Sequence, residues 1–136
     1  MVLAGRHELS SRAPQAVLRD QHLVNIKDLK QLRELQLWGT DISDAGLVHL
    51  KGLTGLEILC LNDTKVTDAG LPHLKTLTRL KELGLSGTGV TDKGLMHLRA
   101  LPSLELIDLR KTRITLKGEE QLSKWLPKAT VLRGVE

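Results

Sequence analysis

Three kinds of side chain in this 136-residue chain have the chemistry for a reactive or binding centre, and two of them recur at a fixed interval. Cys60 is the single cysteine, so no internal disulfide can form. A reactive thiol needs a cationic or helix-end setting. Glu57 and Asp63 lie near Cys60 in sequence, and neighbouring anions raise a thiol's pKa instead. His49, His73 and His97 stand 24 residues apart. A zinc site wants four ligands converging on one point. Equal spacing along a chain follows from a repeat, and Gln121 ends the column. Lys27, Lys51, Lys75 and Arg99 form a basic column at the same interval. Cations at helix C-termini complement the helix dipole; the other reading is an edge that grips phosphate or an acidic membrane. There is no phosphate loop, no paired cysteines and no nucleophile, base and orienter that the spacing would unite. The chain reads as a non-enzyme with no metal and no cofactor.

The interval that spaces these residues also spaces the leucines. Leu29, Leu53, Leu77 and Leu101 open four copies of 24 residues over 29–122. Leu32, Leu56, Leu80 and Leu104 follow, then the pairs Leu35/Leu37, Leu59/Leu61, Leu83/Leu85 and Ile107/Leu109. Thr40, Thr64, Thr88 and Thr112 close that half of each copy. Self-similarity at such a period means stacked coils, none of which buries its apolar face alone.

Each copy divides in two. Arg33 to Trp38 alternates polar and apolar, which predicts a half-buried strand. Asp41 to Leu50 places Ile42, Leu47 and Leu50 closer to helical spacing. Ser43, Thr67, Thr91 and Thr115 occupy helix N-cap positions, and Asp44, Asp68 and Asp92 favour the positive end of the dipole. Gly46, Gly70, Gly94 and Gly118 form a column that needs either positive φ or close packing of a neighbouring coil. Pro72, in a first helical turn, predicts a late start or a 3₁₀ turn.

The ends differ. Residues 1–28 read as a degenerate N-terminal cap: Leu18, Asp20, Leu23 and Ile26 keep the helical half. The strand half is lost at Ser11, Ala13 and Pro14, and residues 1 to about 14 are expected to be loose. At the other end, 123–136 reads as a C-terminal cap, with Leu126-Pro127 echoing Leu101-Pro102 one residue out of register. A closing strand is expected near Ala129 to Leu132, with Trp125 plugging the leucine core. The whole, 1–136, is one domain.

Composition bounds the rest. Phenylalanine and tyrosine are absent, and leucine must do the packing. No stretch reaches the ~18 apolar residues of a membrane span. Arg6, His7 and Glu8 interrupt any secretory signal, which favours a cytoplasmic location. The formal charge of +4 invites nucleic acid. Without interleaved aromatic residues, base stacking has little to use, so no nucleic acid is expected.

The pattern Leu-x-x-Leu-x-x-Leu-x-Leu-x-x-Thr, followed by Val-Thr-Asp-Ala-Gly-Leu-x-x-Leu, resembles a leucine-rich repeat of the bacterial 24-residue, planctomycete-like type. The resemblance covers residues 29–122 and extends weakly to both ends. It implies an α/β fold, a right-handed solenoid with a parallel sheet on the concave side and short helices on the convex side. It implies a module that binds another protein, as a monomer. Thr40, Thr64, Thr88 and Thr112 stand where many such families place asparagine or cysteine. A hydroxyl offers one donor against an amide's two, so backbone groups or water must complete the hydrogen bonding there. The Thr-Asp-x-Gly-Leu segment is also similar to the repeats of F-box proteins, which suggests an adaptor as an alternative, although no F-box is present. A self-assembling scaffold is the other alternative.

Strand alternation selects the face that such a module would use. With Leu35 and Leu37 inward, Glu34, Gln36 and Trp38 point outward. The matching residues are Ile58, Cys60 and Asn62, then Glu82, Gly84 and Ser86, then Leu106, Asp108 and Arg110. Trp38, Ile58 and Leu106 are apolar where polar residues are expected, which marks either a contact surface or, for Trp38, a place covered by the cap. Glu34, Glu82, Asp108 and Arg110 would orient the partner, and Gly84 leaves a dip beside Cys60.

Overall fold

The structure, a computed structural model, describes Met1 and residues 18–134. The alternating segments pair as three-residue strands: β1 (Glu34–Gln36), β2 (Ile58–Cys60), β3 (Glu82–Gly84), β4 (Leu106–Asp108) and β5 (Thr130–Leu132). They form one parallel sheet in chain order. Leu35, Leu59, Leu83, Ile107 and Val131 pair side by side, so 24 residues along the chain is one strand across the sheet. The strands are shorter than the Arg33–Trp38 alternation predicts, but backbone bonding continues past them. Leu37 N–H donates to Cys60 O and Gly39 N–H to Asn62 O, each at 2.9 Å.

The outer segments Asp20–Ile26, Asp44–Leu50, Asp68–Leu74 and Asp92–Ala100 are 3₁₀ helices. In a 3₁₀ helix residues i and i+3 share a face, which is how Leu47/Leu50, Leu71/Leu74 and Leu95/Leu98 all turn inward and become fully buried. Pro72 lies inside one of these helices, but its proline-free neighbours wind the same way, so proline is not the cause. Among the described residues only the last, α1 (Leu116–Trp125), is an α-helix.

Two side-chain ladders run along the stack, the first between coils and the second within each coil. Each first-turn aspartate reaches into the following coil and binds its helix cap. The carboxylates of Asp20, Asp44, Asp68 and Asp92 accept the backbone N–H of Ser43, Thr67, Thr91 and Thr115 at 2.7, 2.7, 2.7 and 2.9 Å. The second oxygen of each accepts the hydroxyl of the same residue. The aspartate column therefore does more than favour a helix dipole. Thr67, Thr91 and Thr115 also accept a helix N–H, as caps should; Ser43 does not. The glycine column is explained by the same contact. None of Gly46, Gly70, Gly94 and Gly118 has positive φ. A β-carbon on any of them would collide with the aspartate carboxylate of the preceding coil.

In the second ladder Thr40, Thr64 and Thr88 are buried and donate to the carbonyls of Leu37, Leu61 and Leu85 at 2.7, 2.7 and 2.6 Å. Backbone groups complete the bonding between coils, as in Lys65 N–H to Ile42 O at 2.9 Å.

At the N-terminal end Leu23 and Ile26 are buried, as the helical half of a cap requires. The amine of Met1 donates to Glu34 O at 2.9 Å, and Gln36 N–H donates to Met1 O at 3.0 Å, so Met1 lies along the free side of β1. The expectations for Ser11, Ala13 and Pro14, and for the looseness of the segment after Met1, lie outside the described residues. At the other end the one-residue slip at Leu126-Pro127 is absorbed before β5, which pairs in the regular register. Leu122 and Leu126 fill the end of the core that Trp125 was expected to plug. Trp125 packs against the core while half-exposed, with the Arg99 guanidinium 5.0 Å from its ring centre. In this last coil Glu119 stands one period beyond Leu95, and Arg133 one period beyond Leu109. The two pair with each other, Arg133 Nε to Glu119 Oε2, at 2.6 Å. An ion pair thus occupies two positions that buried leucines hold one period earlier.

Candidate functional site

Strand pairing sorts the outward residues into rows. Glu34, Ile58, Glu82, Leu106 and Thr130 make one row, and Gln36, Cys60, Gly84, Asp108 and Leu132 the next. A third row, Trp38, Asn62, Ser86 and Arg110, is held by the backbone bonds that continue beyond the strands, including Asp63 N–H to Ser86 O at 2.7 Å.

The rows bring some of the expected site residues together and separate others. Ile58 and Leu106 share a row but have Glu82 between them, two strand spacings or about 10 Å apart. Trp38 lies two rows away from both. Its indole Nε1–H donates to Asp63 Oδ2 at 3.1 Å, and the ring is half-buried. The three apolar residues are therefore separate points on one face, not a continuous patch.

Asp108 and Arg110 bind each other. Arg110 Nε and Nη2 donate to the two carboxylate oxygens at 2.9 and 2.8 Å, and Arg110 N–H donates to Oδ1 at 3.1 Å. These bonds hold the Asp108 carboxyl below the usual carboxylate range, against the opposing effect of its burial. The dip at Gly84 is partly occupied: a β-carbon there would meet the Asn62 amide, whose Oδ1 accepts Ser86 N–H at 2.9 Å. Cys60 is half-buried. Burial pushes its thiol up, and Asp108 and Asp63 add to the shift, while a backbone hydrogen bond to Asn62 opposes it. Each of the upward effects works against a thiolate nucleophile.

Charge on this face is uneven. Arg33 and Lys81 both pair with Glu57, at 3.7 and 3.4 Å, and Arg110 is taken by Asp108. Among the described residues Glu34, Glu82 and Glu105 make no ion pair, so one end of the strands presents carboxylates in a chain whose net charge is +4.

The outer face carries features of its own. His49, His73 and His97 are half-buried, and no group of three His, Cys, Asp or Glu side chains gathers for a metal among the described residues. The period also aligns Val24, Val48, Pro72 and Met96, and Val24, Val48 and Met96 are 42, 43 and 59% exposed. Sequence reasoning passed over this ridge. Its signal was the apolar residue that follows each inward leucine of the helices by one place. No helix among the described residues is long and apolar enough to cross a membrane.

No family model matches the chain, and no curated protein matches it. Solved structures do. A leucine-rich-repeat protein of Leptospira interrogans superposes with a TM-score of 0.62 at 25% identity, covering 79% of this chain and 27% of that one. Internalin C2 of Listeria monocytogenes gives 0.58 at 23% identity over 82% of this chain and 55% of that one. The actin-binding site 2 of leiomodin-1 gives 0.63 at 18% identity over 91% of this chain and 82% of that one. The chain thus spans about a quarter of the Leptospira protein and about half of the internalin. The fold is a right-handed leucine-rich-repeat solenoid, with the parallel sheet on its concave side and the short helices on its convex side.

Proposed function

We propose that this chain is a protein-binding module, not an enzyme, and that it holds its partner on the concave sheet. The observation that carries this reading is the row Glu34–Ile58–Glu82–Leu106, in which carboxylates without an ion pair among the described residues alternate with half-buried apolar side chains on one face. A row of that kind suits a polypeptide that alternates apolar and cationic side chains at the strand spacing. Gln36, Cys60, Asn62, Gly84 and Ser86 line the remainder of the face. Trp38 sits at its edge as an aromatic anchor, and the Asp108–Arg110 pair is pre-formed and neutral. One of the similar structures is named for binding actin, which supports interaction as the use of such a fold without naming a partner here.

In this reading the chain forms one domain, residues 1–136, with 29–122 as its repeats and 1–28 and 123–136 as caps. It acts as a monomer, of bacterial, planctomycete-like origin and in the cytoplasm, without a nucleic-acid partner or cofactor. An adaptor subunit of a larger complex is a special case of it. The convex ridge of Val24, Val48, Pro72 and Met96 supports a second reading, a scaffold that assembles through its outer face.

The test is binding and melting measured together on Ile58→Asp and Trp38→Ala. The concave reading expects weaker partner binding, with each variant melting within a few degrees of the parent. Undiminished binding by both variants contradicts it.

A further inference from the structure

The end of the stack beyond β4 holds a cavity of about 290 Å³ lined by Lys111, Thr112, Arg113, Thr115 and Arg133 over a floor of Leu109 and Ile114. No carboxylate lines it among the described residues. Among the described residues neither Lys111 nor Arg113 makes an ion pair, whereas Asp41 and Lys65, at the same repeat position as Arg113, are paired at 3.8 Å. Arg133 is fixed by its bond to Glu119, which sets one wall of the cavity.

Lys111 is the most telling of these residues. It occupies the turn position held in earlier copies by Gly39, Asp63 and Gly87, and its φ is +55°. The left-handed region strains a residue with a β-carbon, and such outliers concentrate where a side chain has work to do. Glycine is the residue the turn favours, and lysine is present instead. Thr112 and Thr115 direct their hydroxyl protons to the Leu109 carbonyl and to Asp92, so the charge in the cavity comes from Lys111 and Arg113, that of Arg133 being met by Glu119.

From this geometry we infer that the cavity binds a phosphate dianion, free or carried as a monoester. Lys111 and Arg113, neither of them ion-paired among the described residues, flank an apolar floor, with Arg133 held at one wall by Glu119, and two such cations suit a dianion better than a single carboxylate. The site lies apart from the Glu34–Leu106 row and stands whether or not that row binds a protein.

The experiment is a titration followed by backbone amide shifts at constant ionic strength, with inorganic phosphate, a phosphoserine peptide and acetate as probes. The parent, Lys111→Gly and Arg113→Ala are compared. Saturable phosphate binding is expected in the parent, with shifts centred on residues 111–115 and 133. Acetate should bind more weakly, and each variant should lose about tenfold in phosphate affinity. Lys111→Gly relaxes the turn, so its loss of binding cannot come from unfolding, and its melting temperature should rise. A phosphopeptide tighter than inorganic phosphate supports the monoester as ligand, and the reverse supports the free anion. No saturable shift in the parent, or equal phosphate affinity in the parent and both variants, overturns the proposal.

Discussion

Asp63 and Lys111 both take the left-handed turn, each with φ +55°, yet for different reasons. Asp63 uses its carboxylate to accept the Trp38 indole N–H, so replacing it relieves strain and loses a bond together. Lys111 makes no ion pair among the described residues, and Lys111→Gly should stabilise the fold by about 1 kcal/mol, read by denaturant titration. Destabilisation would mean that the lysine side chain contributes to packing. Asp108 bears on pH. Its carboxyl is depressed, first by the hydrogen bonds from Arg110, so it contributes stability that is present above its unfolded pKa and lost as pH falls through the folded one. Asp108→Asn should therefore flatten the acid limb of a stability-versus-pH curve and leave the neutral region without a new slope. Cys60 runs the opposite way. Its raised thiol contributes stability below the ordinary value of 9.0, lost as pH rises beyond it. Alkylation of the native protein should accordingly begin at higher pH than that of the unfolded chain. Equal profiles would show that the thiol does not feel its burial.

At the scale of elements, the contact between aspartate and glycine columns gives the sharpest test. A β-carbon at Gly118 would meet the Asp92 side chain, all three of its nearest atoms belonging to that carboxylate group. Within α1, alanine is otherwise favoured over glycine by about 1 kcal/mol. Gly118→Ala should thus destabilise the parent but stabilise an Asp92→Ala background, a reversal of sign readable in a double-mutant cycle. The same sign in both backgrounds would refute the contact. The end of the stack offers another test. Glu119→Leu alone removes the carboxylate that holds the half-buried Arg133 and should destabilise the fold, while Glu119→Leu with Arg133→Leu should recover most of the loss.

These elements also show what a sequence discloses. The interval of 24 predicts the register of all five strands because a parallel stack converts period into adjacency. It could not choose between positive φ and close packing for the glycine column, since both leave the same residue. Nor could it show that the aspartates bind the following coil, or that Glu119 meets Arg133, because those partners are neighbours only once the coils are stacked. The outward rows were legible from alternation, but the engagement of Arg110 by Asp108 and of Trp38 by Asp63 was not.

As a whole molecule the solenoid has two broad faces of different chemistry. The concave one sets carboxylates between single apolar residues, and the convex one runs an apolar ridge beside the basic column of Lys27, Lys51, Lys75 and Arg99. Every in-register coil adds to both faces at once, so the fold alone does not say which is used. Site-specific photo-crosslinking decides it most directly, with the photoreactive residue placed in turn at Gln36, Ile58 and Leu106 and at Val48 and Met96. A partner should crosslink from the three sheet positions and not from the two helix positions. Capture of that partner from Val48 and Met96, with the sheet positions silent, would contradict it.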